Sequence, residues 1–296
     1  MSIRYGASPI AWSNDDMPEL GGDTPLDEIL DDIHALGFDG VELGGRFPRA
    51  PGELRALLSR HALDLVGGWY SGALLERDAD AEIAAMQPHL SLLEALGCDV
   101  FVFAETSNAV HGNRAVPMSA PPRLAPGDWA RFGERMTGVA DYVQARGLRF
   151  AYHHHLGTVV ETQDDLDAFL RETGPSVGLT LDTGHAALGG IDFLEAIRRH
   201  PQRIAHVHCK DVRREVHARM RAAGASFLDG VLEGMFTVPG DGGIDYGEVM
   251  RALAGIGYSG WIILEAEQDP ARAPPRRYAE LGLRTLKDAA RAAGLA

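Results

Sequence analysis

The sequence predicts an α/β protein folded as one (β/α)8 barrel, a single domain over residues 1–296. Three observations predict it. Short apolar runs alternate with amphipathic stretches about eight times, with no composition break or linker, and eight strand–helix units make such a barrel. The length agrees, since one barrel takes about 250 residues. Nearly every polar cluster also falls just after an apolar run, the end at which barrels carry their sites. A doubly wound open sheet is the rival. No glycine-rich fingerprint follows the first strand, so a dinucleotide site has no support.

The elements follow in order. Ile3 to Ile10 is an apolar strand, closed by Pro9 and the polar cluster Trp12 to Asp16. Thr24-Pro25 predicts an N-cap with proline at the first helical position, and Leu26, Ile29, Leu30 and Ile33 recur at helical spacing until Gly37. The second strand is Gly40 to Gly44; helix Pro51 to His61, strand Leu63 to Gly67, helix Ala79 to Leu96 and strand Val100 to Phe103 repeat the cycle. A long connection, Glu105 to Gly127, reads as a lid or binding segment. Asp128 is placed to cap a helix running to Arg146. Then come strand Arg149 to His154, helix Gln163 to Glu172, strand Val177 to Leu181, helix Phe193 to His200 and strand Ile204 to His208. A second long connection, Val212 to Gly243, precedes helix Tyr246 to Ala254, strand Trp261 to Leu264 and a last helix, Pro275 to Ala293.

A net charge of −14 argues against a phosphate-backbone binder and against an anionic membrane surface. Neither nucleic acid nor membrane is therefore an expected partner. No apolar run approaches membrane-spanning length, and Met1-Ser-Ile-Arg4 has no signal core. Cys98 and Cys209, far apart in apolar strand contexts, predict free thiols and a reducing cytoplasm.

The chemistry gathers at four strand ends. Tyr152 is followed by three consecutive histidines, each ring carrying two nitrogens that need partners. Alternation along a strand points His153 and His155 one way and His154 the other. Asp182 ends an apolar strand with His185 three residues on, His206 and His208 share one face, and Glu265 and Glu267 repeat that spacing. A carboxylate ending a buried strand needs a cation or strong donors, which for Glu267 could be an arginine. Imidazoles and carboxylates from four strands suit Mn²⁺, Co²⁺ or Zn²⁺. Trp12, Asn14, Asp15, Glu42, Trp69 with Tyr70, and Glu105 follow the earlier strands and would serve as polyol contacts; barrel-mouth packing is the alternative for the aromatic pair. Lys210 and Asp211 could fix each other, leaving Lys210 available to an oxyanion, while Arg213 and Arg214 read as surface charges. A non-catalytic carbohydrate binder would account for the aromatics but not for four ligand sets. No GxSxG elbow or cysteine-nucleophile motif is present, so covalent catalysis has no support.

With these residues in place, the chain resembles the xylose-isomerase-like TIM-barrel superfamily, and within it the inosose dehydratases. The resemblance rests on Trp12-Ser-Asn-Asp-Asp-Met17, Gly40-Val-Glu-Leu-Gly-Gly-Arg-Phe-Pro48, Gly68-Trp-Tyr-Ser71, Tyr152-His-His-His-Leu-Gly-Thr158, Leu181-Asp-Thr-Gly-His185, His206-Val-His-Cys-Lys-Asp-Val-Arg213, Phe236-Thr-Val-Pro-Gly-Asp-Gly242 and Glu265-Ala-Glu-Gln-Asp-Pro270. It implies a metal held by His153, Asp182, His208 and Glu265, with histidine where the superfamily has a glutamate. It implies a hydro-lyase dehydrating 2-keto-myo-inositol, with Mn²⁺ or Co²⁺ as the ion. Glu265 is then the expected α-proton base and His155 or His185 the acid, beside Lys210, with Glu267 among the substrate contacts. A sugar or inosose isomerase or epimerase is the alternative, and an endonuclease of the same barrel class a more distant one. The expected partner is a small cyclitol or sugar; the oligomeric state, homo-oligomer included, is open.

Overall fold

The computed structural model describes residues 2–295. Its strands are β1 (Ile3–Ala7), β2 (Gly40–Val41), β3 (Asp64–Leu65), β4 (Trp69–Gly72), β5 (Val100–Glu105), β6 (Arg149–His153), β7 (Val177–Asp182), β8 (Ile204–Cys209), a small ribbon of β9 (Asp211–Val212) with β10 (Phe236–Thr237), and β11 (Gly260–Leu264). Parallel pairing runs β3-β2-β1-β11-β8-β7-β6-β5-β4. The two ends of this sheet are pieces of one stave, since β3 pairs with β2 and β4 with β5 across a gap of Val66, Gly67 and Gly68. Eight staves therefore close a barrel. Trp69 and Tyr70, expected beyond the third strand, lie inside it.

The helices α1 (Leu26–Leu36), α2 (Pro51–Arg60), α3 (Ala79–Leu96), α4 (Trp129–Ala145), α5 (Gln163–Glu172), α6 (Thr183–Gly189), α7 (Phe193–Arg199), α8 (Arg214–Ala222), α9 (Phe227–Leu232), α10 (Tyr246–Gly255) and α11 (Pro275–Ala293) complete the fold. Their apolar stripes and the outward faces of the strands make one continuous core. Small groups of alternate residues, Val100 with Val102, Ala151 and Ala205, and Val66 with Trp261 and Ile263, pack apart from it inside the barrel. That alternation decides which residues reach the mouth. His153, Glu265 and Glu267 share the inward parity of Ala151 and Ile263, whereas Glu105 shares the outward parity of Phe101 and Phe103.

Several local expectations are corrected. Thr24 makes no cap bond to α1 and Asp128 none to α4; Asp128 instead accepts from Arg131 at 2.9 Å. The 212–243 connection is not a bare loop. It folds as β9, α8, α9 and β10, and packs Phe227, Phe236 and Val212 against Met17, Met118 and Leu156 over the mouth. Asp211 does not pair with Lys210: its carboxylate accepts from the backbone of Gly240, Gly242 and Ile244, shaping the Pro239–Gly243 turn. Arg213 is no free surface charge, for it donates to Gly234 O at 2.7 Å and pairs with Asp241. Arg214 donates to Ala187 O at 2.8 Å.

Candidate functional site

A cavity of about 730 Å³ opens at the C-terminal ends of the staves. Trp69, His111, His153, His155, His208, Glu265 and Glu267 line its depth, and Asn14, Asp15, Asp23, Arg46 and Arg49 line its rim. At its base His153, Asp182, His208 and Glu265 each offer one ligating atom, all within 4.8 Å of one another and all buried.

Local structure fixes each group. The β7 strand ends at Asp182, whose Oδ1 accepts from His185 N at 2.8 Å and so caps α6. Its Oδ2 is buried without a hydrogen-bond partner, as is His208 Nδ1. His208 Nδ1 stands 2.5 Å from Glu265 Oε2 but off a hydrogen-bond direction. His153 uses Nδ1 on the carbonyl of His154 at 2.8 Å, which leaves Nε2 facing Asp182 Oδ2 at 3.7 Å. Behind the quartet, Glu42 Oε1 lies 3.0 Å from His208 Nε2 and 3.1 Å from His206 Nε2. A histidine whose far nitrogen is held by a carboxylate or carbonyl is the usual partner arrangement of a metal ligand. Two carboxylates and two imidazoles whose ligating atoms converge on one buried point, Asp182 Oδ2 among them without a partner, thus fit a divalent cation once His208 gives up its proton.

The charge pattern agrees. Burial drives His153, His155 and His185 well below the ordinary imidazole range, so all three are neutral, the His185 lone pair being taken by Lys210. Burial also opposes charge on His208, yet Glu42 and Glu265 hold its pKa well above normal. Glu42 is pushed up by burial but pulled down to about 2 by His208 and His206. Burial raises Asp182 to about 6, against the pull of Lys210. A cation bound among these groups would draw them back toward ionised carboxylates and neutral imidazoles.

Beside the quartet, Lys210 is wholly buried. It donates to Glu267 Oε1 at 2.5 Å and to His185 Nε2 at 2.9 Å, and pairs with Glu265 Oε1 at 2.7 Å. Gly184 makes this possible, because a Cβ there would lie 2.7 Å from Lys210 Cγ. Lys210 therefore faces protein groups, not the cavity, and is not free for a substrate oxyanion. His185 is likewise behind the wall, with its ring centroid 3.7 Å from that of His155. His155 does line the cavity; its Nδ1 is spent on Leu156 O at 2.7 Å.

Two expected substrate contacts are turned away. Trp12 belongs to the core, 3% exposed, and its Nε1 donates to Asp32 of α1 at 3.2 Å. Glu105 is fully buried outside the cavity, accepting from Leu74 N at 2.6 Å and Ser107 N at 2.8 Å. Glu42 reaches the cavity floor, but its bonds go to the histidines. Asn14 keeps the expected place, with Oδ1 shaping its own turn and a buried Nδ2 without partner facing the cavity. Asp15 lines the rim while accepting from Gly45 N at 2.9 Å, and Trp69, 37% exposed, stands edge-on to His153 and His155. The sequence reasoning missed His111. It comes down from the 105–127 connection to within 4.7 Å of the His155 ring, with Nδ1 buried and unpartnered. Gly157 admits it: φ is +76°, and a Cβ there would meet His111 N at 2.9 Å.

Eight staves with a buried His/Asp/His/Glu set at their C-terminal mouth make a barrel whose mouth could hold a metal ion. Residues 30–289 match the family model described as xylose isomerase-like TIM barrel. The chain is 47% identical over 294 residues to the rhizopine catabolism protein MocC of Rhizobium meliloti, covering 99% of this chain and 90% of that one. It is 38% identical to the inosose dehydratase of Geobacillus thermodenitrificans, over 94% of each chain. The solved xylose isomerase domain protein of Alicyclobacillus acidocaldarius shares the fold, with a TM-score of 0.71 at 18% identity, over 99% of this chain and 100% of that one. The chain belongs to the xylose isomerase-like TIM barrel family, in the branch that holds the inosose dehydratases. Cys98 and Cys209 are free and buried. Among the described residues no helix is long and apolar enough to cross a membrane.

Proposed function

We propose that this protein is a metal-dependent inosose dehydratase, a hydro-lyase that removes water from 2-keto-myo-inositol to give a trihydroxycyclohexane-1,2-dione. Full-length similarity to proteins named inosose dehydratase supports the reaction class. The observation that carries the metal dependence is the quartet with its two unpartnered ligating atoms, Asp182 Oδ2 and His208 Nδ1. His153, Asp182, His208 and Glu265 would hold the ion, with Mn²⁺ or Co²⁺ fitting two imidazoles and two carboxylates. The chemistry such an ion supplies when bound is polarisation of the ketone and stabilisation of the charge left by α-proton removal.

The residues favour elimination over epimerisation. Of the three carboxylates at the depth of the cavity, Glu42 is held by His206 and His208, and the two left to a substrate, Glu265 and Glu267, both come from the end of β11, while the far side carries His153, His155, His111 and Trp69. Inverting a carbon centre calls for a base and an acid on opposite faces of the ring, whereas elimination does not. Between the two carboxylates, Glu265 is opposed by burial but held well below the ordinary range by Lys210 and His208. Burial raises Glu267 to about 7, against the pull of Lys210. A general base works best with its pKa near the working pH, so we assign the α-proton to Glu267 in place of Glu265. At rest His155 and His185 are neutral, and His155 offers the cavity only the lone pair of Nε2. The carboxyl formed on Glu267 is then the acid that returns the proton to the departing hydroxyl. The C–H and C–O bonds break, water leaves, and the enol rearranges to the dione. His155, Asn14 and Trp69 orient the ring.

The 47% identity to a rhizopine catabolism protein supports a second substrate reading, the same elimination on a ketone of rhizopine breakdown. Mass spectrometry after incubating metal-loaded protein with 2-keto-myo-inositol tests the assignment. A product lighter by one water supports it; an isomer of unchanged mass moves the chain to the isomerases; an untouched substrate leaves the rhizopine reading.

Two predictions belong here. Glu42→Gln weakens metal binding about 10- to 100-fold, the usual effect of losing the group behind a ligating histidine, as a chelator competition would read. Metal loading also releases protons. Asp182 is protonated below about 6 and His208 is protonated at neutral pH in the metal-free protein; both must lose a proton to ligate. Affinity therefore falls as pH falls from 8 toward 6, and calorimetry in buffers of differing ionisation enthalpy gives a non-zero proton count.

A further inference from the structure

His155, His185 and Glu267 form a second set of buried ligating atoms, within 4.8 Å of one another. Lys210 Nζ stands between that set and the quartet. It is 2.5 Å from Glu267 Oε1 and 2.9 Å from His185 Nε2 on one side, 2.7 Å from Glu265 Oε1 and 3.7 Å from Asp182 Oδ2 on the other. Two ligating atoms outside the quartet, and two carboxylates that belong to it, are the surroundings of a bridging cation. An ammonium occupies them.

We propose that Lys210 is a built-in cation filling a second metal position, so that this mouth takes one divalent ion and takes two once the ammonium is removed. The inference rests on the metal reading of the quartet given above.

Charge balance supports it. Glu42, Asp182, Glu265 and Glu267 are four buried carboxylates. One dication and one ammonium leave a single net negative charge among them. Without the lysine two remain, and uncompensated buried charge is costly. A second dication cancels both. The ammonium is also held in place, not sampling the cavity. Thr183 Oγ1 bonds Lys210 O at 2.9 Å and Lys210 N at 3.1 Å. Gly184 packs on the lysine stem, and the Phe236 ring centre lies 4.8 Å from Nζ. The vacated position would offer the His185 imidazole and carboxylate oxygens, with His155 the third member of the adjoining set, ligands that take Zn²⁺, Co²⁺ or Mn²⁺.

The test is metal stoichiometry, which does not depend on turnover. Metal-stripped protein is reloaded with Co²⁺, desalted and analysed for cobalt per chain. The wild type takes one ion. Lys210→Ala, with folding checked by circular dichroism, takes two, and Lys210→Gln, which keeps the stem without the charge, does the same. Lys210→Arg stays at one, and adding His185→Ala to Lys210→Ala returns it to one. Two ions in the wild type, or one in a folded Lys210→Ala or Lys210→Gln, overturns the proposal. No ion in the wild type removes the quartet reading itself, a distinct failure.

Discussion

Asp182→Asn empties the quartet and lowers the dehydration rate by about 10³-fold or more, while the fold stays intact. The two oxygens of Asp182 divide the work. Oδ1 caps α6 through His185 N, and Oδ2 points unpartnered at His153, His208 and Glu265. Asparagine caps a helix about as well as aspartate, so this substitution keeps the first bond and removes only the anionic ligand. Metal polarisation of a carbonyl is worth several kcal/mol, and each 1.4 kcal/mol is about tenfold in rate. Asp182→Ala loses the same activity and, in addition, about 1 kcal/mol of stability through the cap. Elemental analysis, turnover and thermal melting of the two variants separate the roles. A folded Asp182→Asn protein with full metal and full activity would mean that the ligands are misassigned.

The second large effect divides the two carboxylates of β11. Glu267→Gln lowers kcat about 10²- to 10⁴-fold, the usual range for a general base, with the metal content unchanged. Glu265→Gln loses activity together with the metal, because Glu265 Oε2 sits in the quartet and Oε1 answers Lys210. Metal per chain measured beside kcat tells them apart. If Glu267→Gln turns over normally and Glu265→Gln keeps its ion but not its rate, the base is Glu265, as the sequence alone had indicated.

Much of the frame was legible in the chain. Helices α3, α5 and α11 run over the spans that apolar spacing and terminal glycine or proline predict. The strand ends that meet at the mouth were legible because each closes an apolar strand with polar groups, at alternate positions in His206 and His208 and in Glu265 and Glu267. What was not legible depends on which side a residue faces. Trp12 follows a strand, as a sugar platform would, but packs into the core through α1. Glu105 lies an odd number of residues from Val102, which lines the cavity, and counting alternate positions along β5 would have turned it outward. Helix α6 was hidden because Thr183–Gly189 is short and ends in glycine, and its start is fixed by Asp182, a residue marked for metal. In the 212–243 connection α8 and α9 pack on the mouth and not on the barrel wall, so no long apolar stripe announces them. Ser226 and Asp229 nevertheless form a capping box that the sequence carries in plain form. His111 had no local signal at all, since a lone histidine in a polar connection gains its meaning only from Gly157, distant in sequence, against which its backbone packs.

The most direct measurement follows ultraviolet absorbance after metal-stripped protein is mixed with 2-keto-myo-inositol, with and without added Mn²⁺ or Co²⁺. A rise in dione absorbance that requires the added ion is the predicted result. A rise of equal rate in stripped protein held in excess chelator would contradict the metal-dependent account.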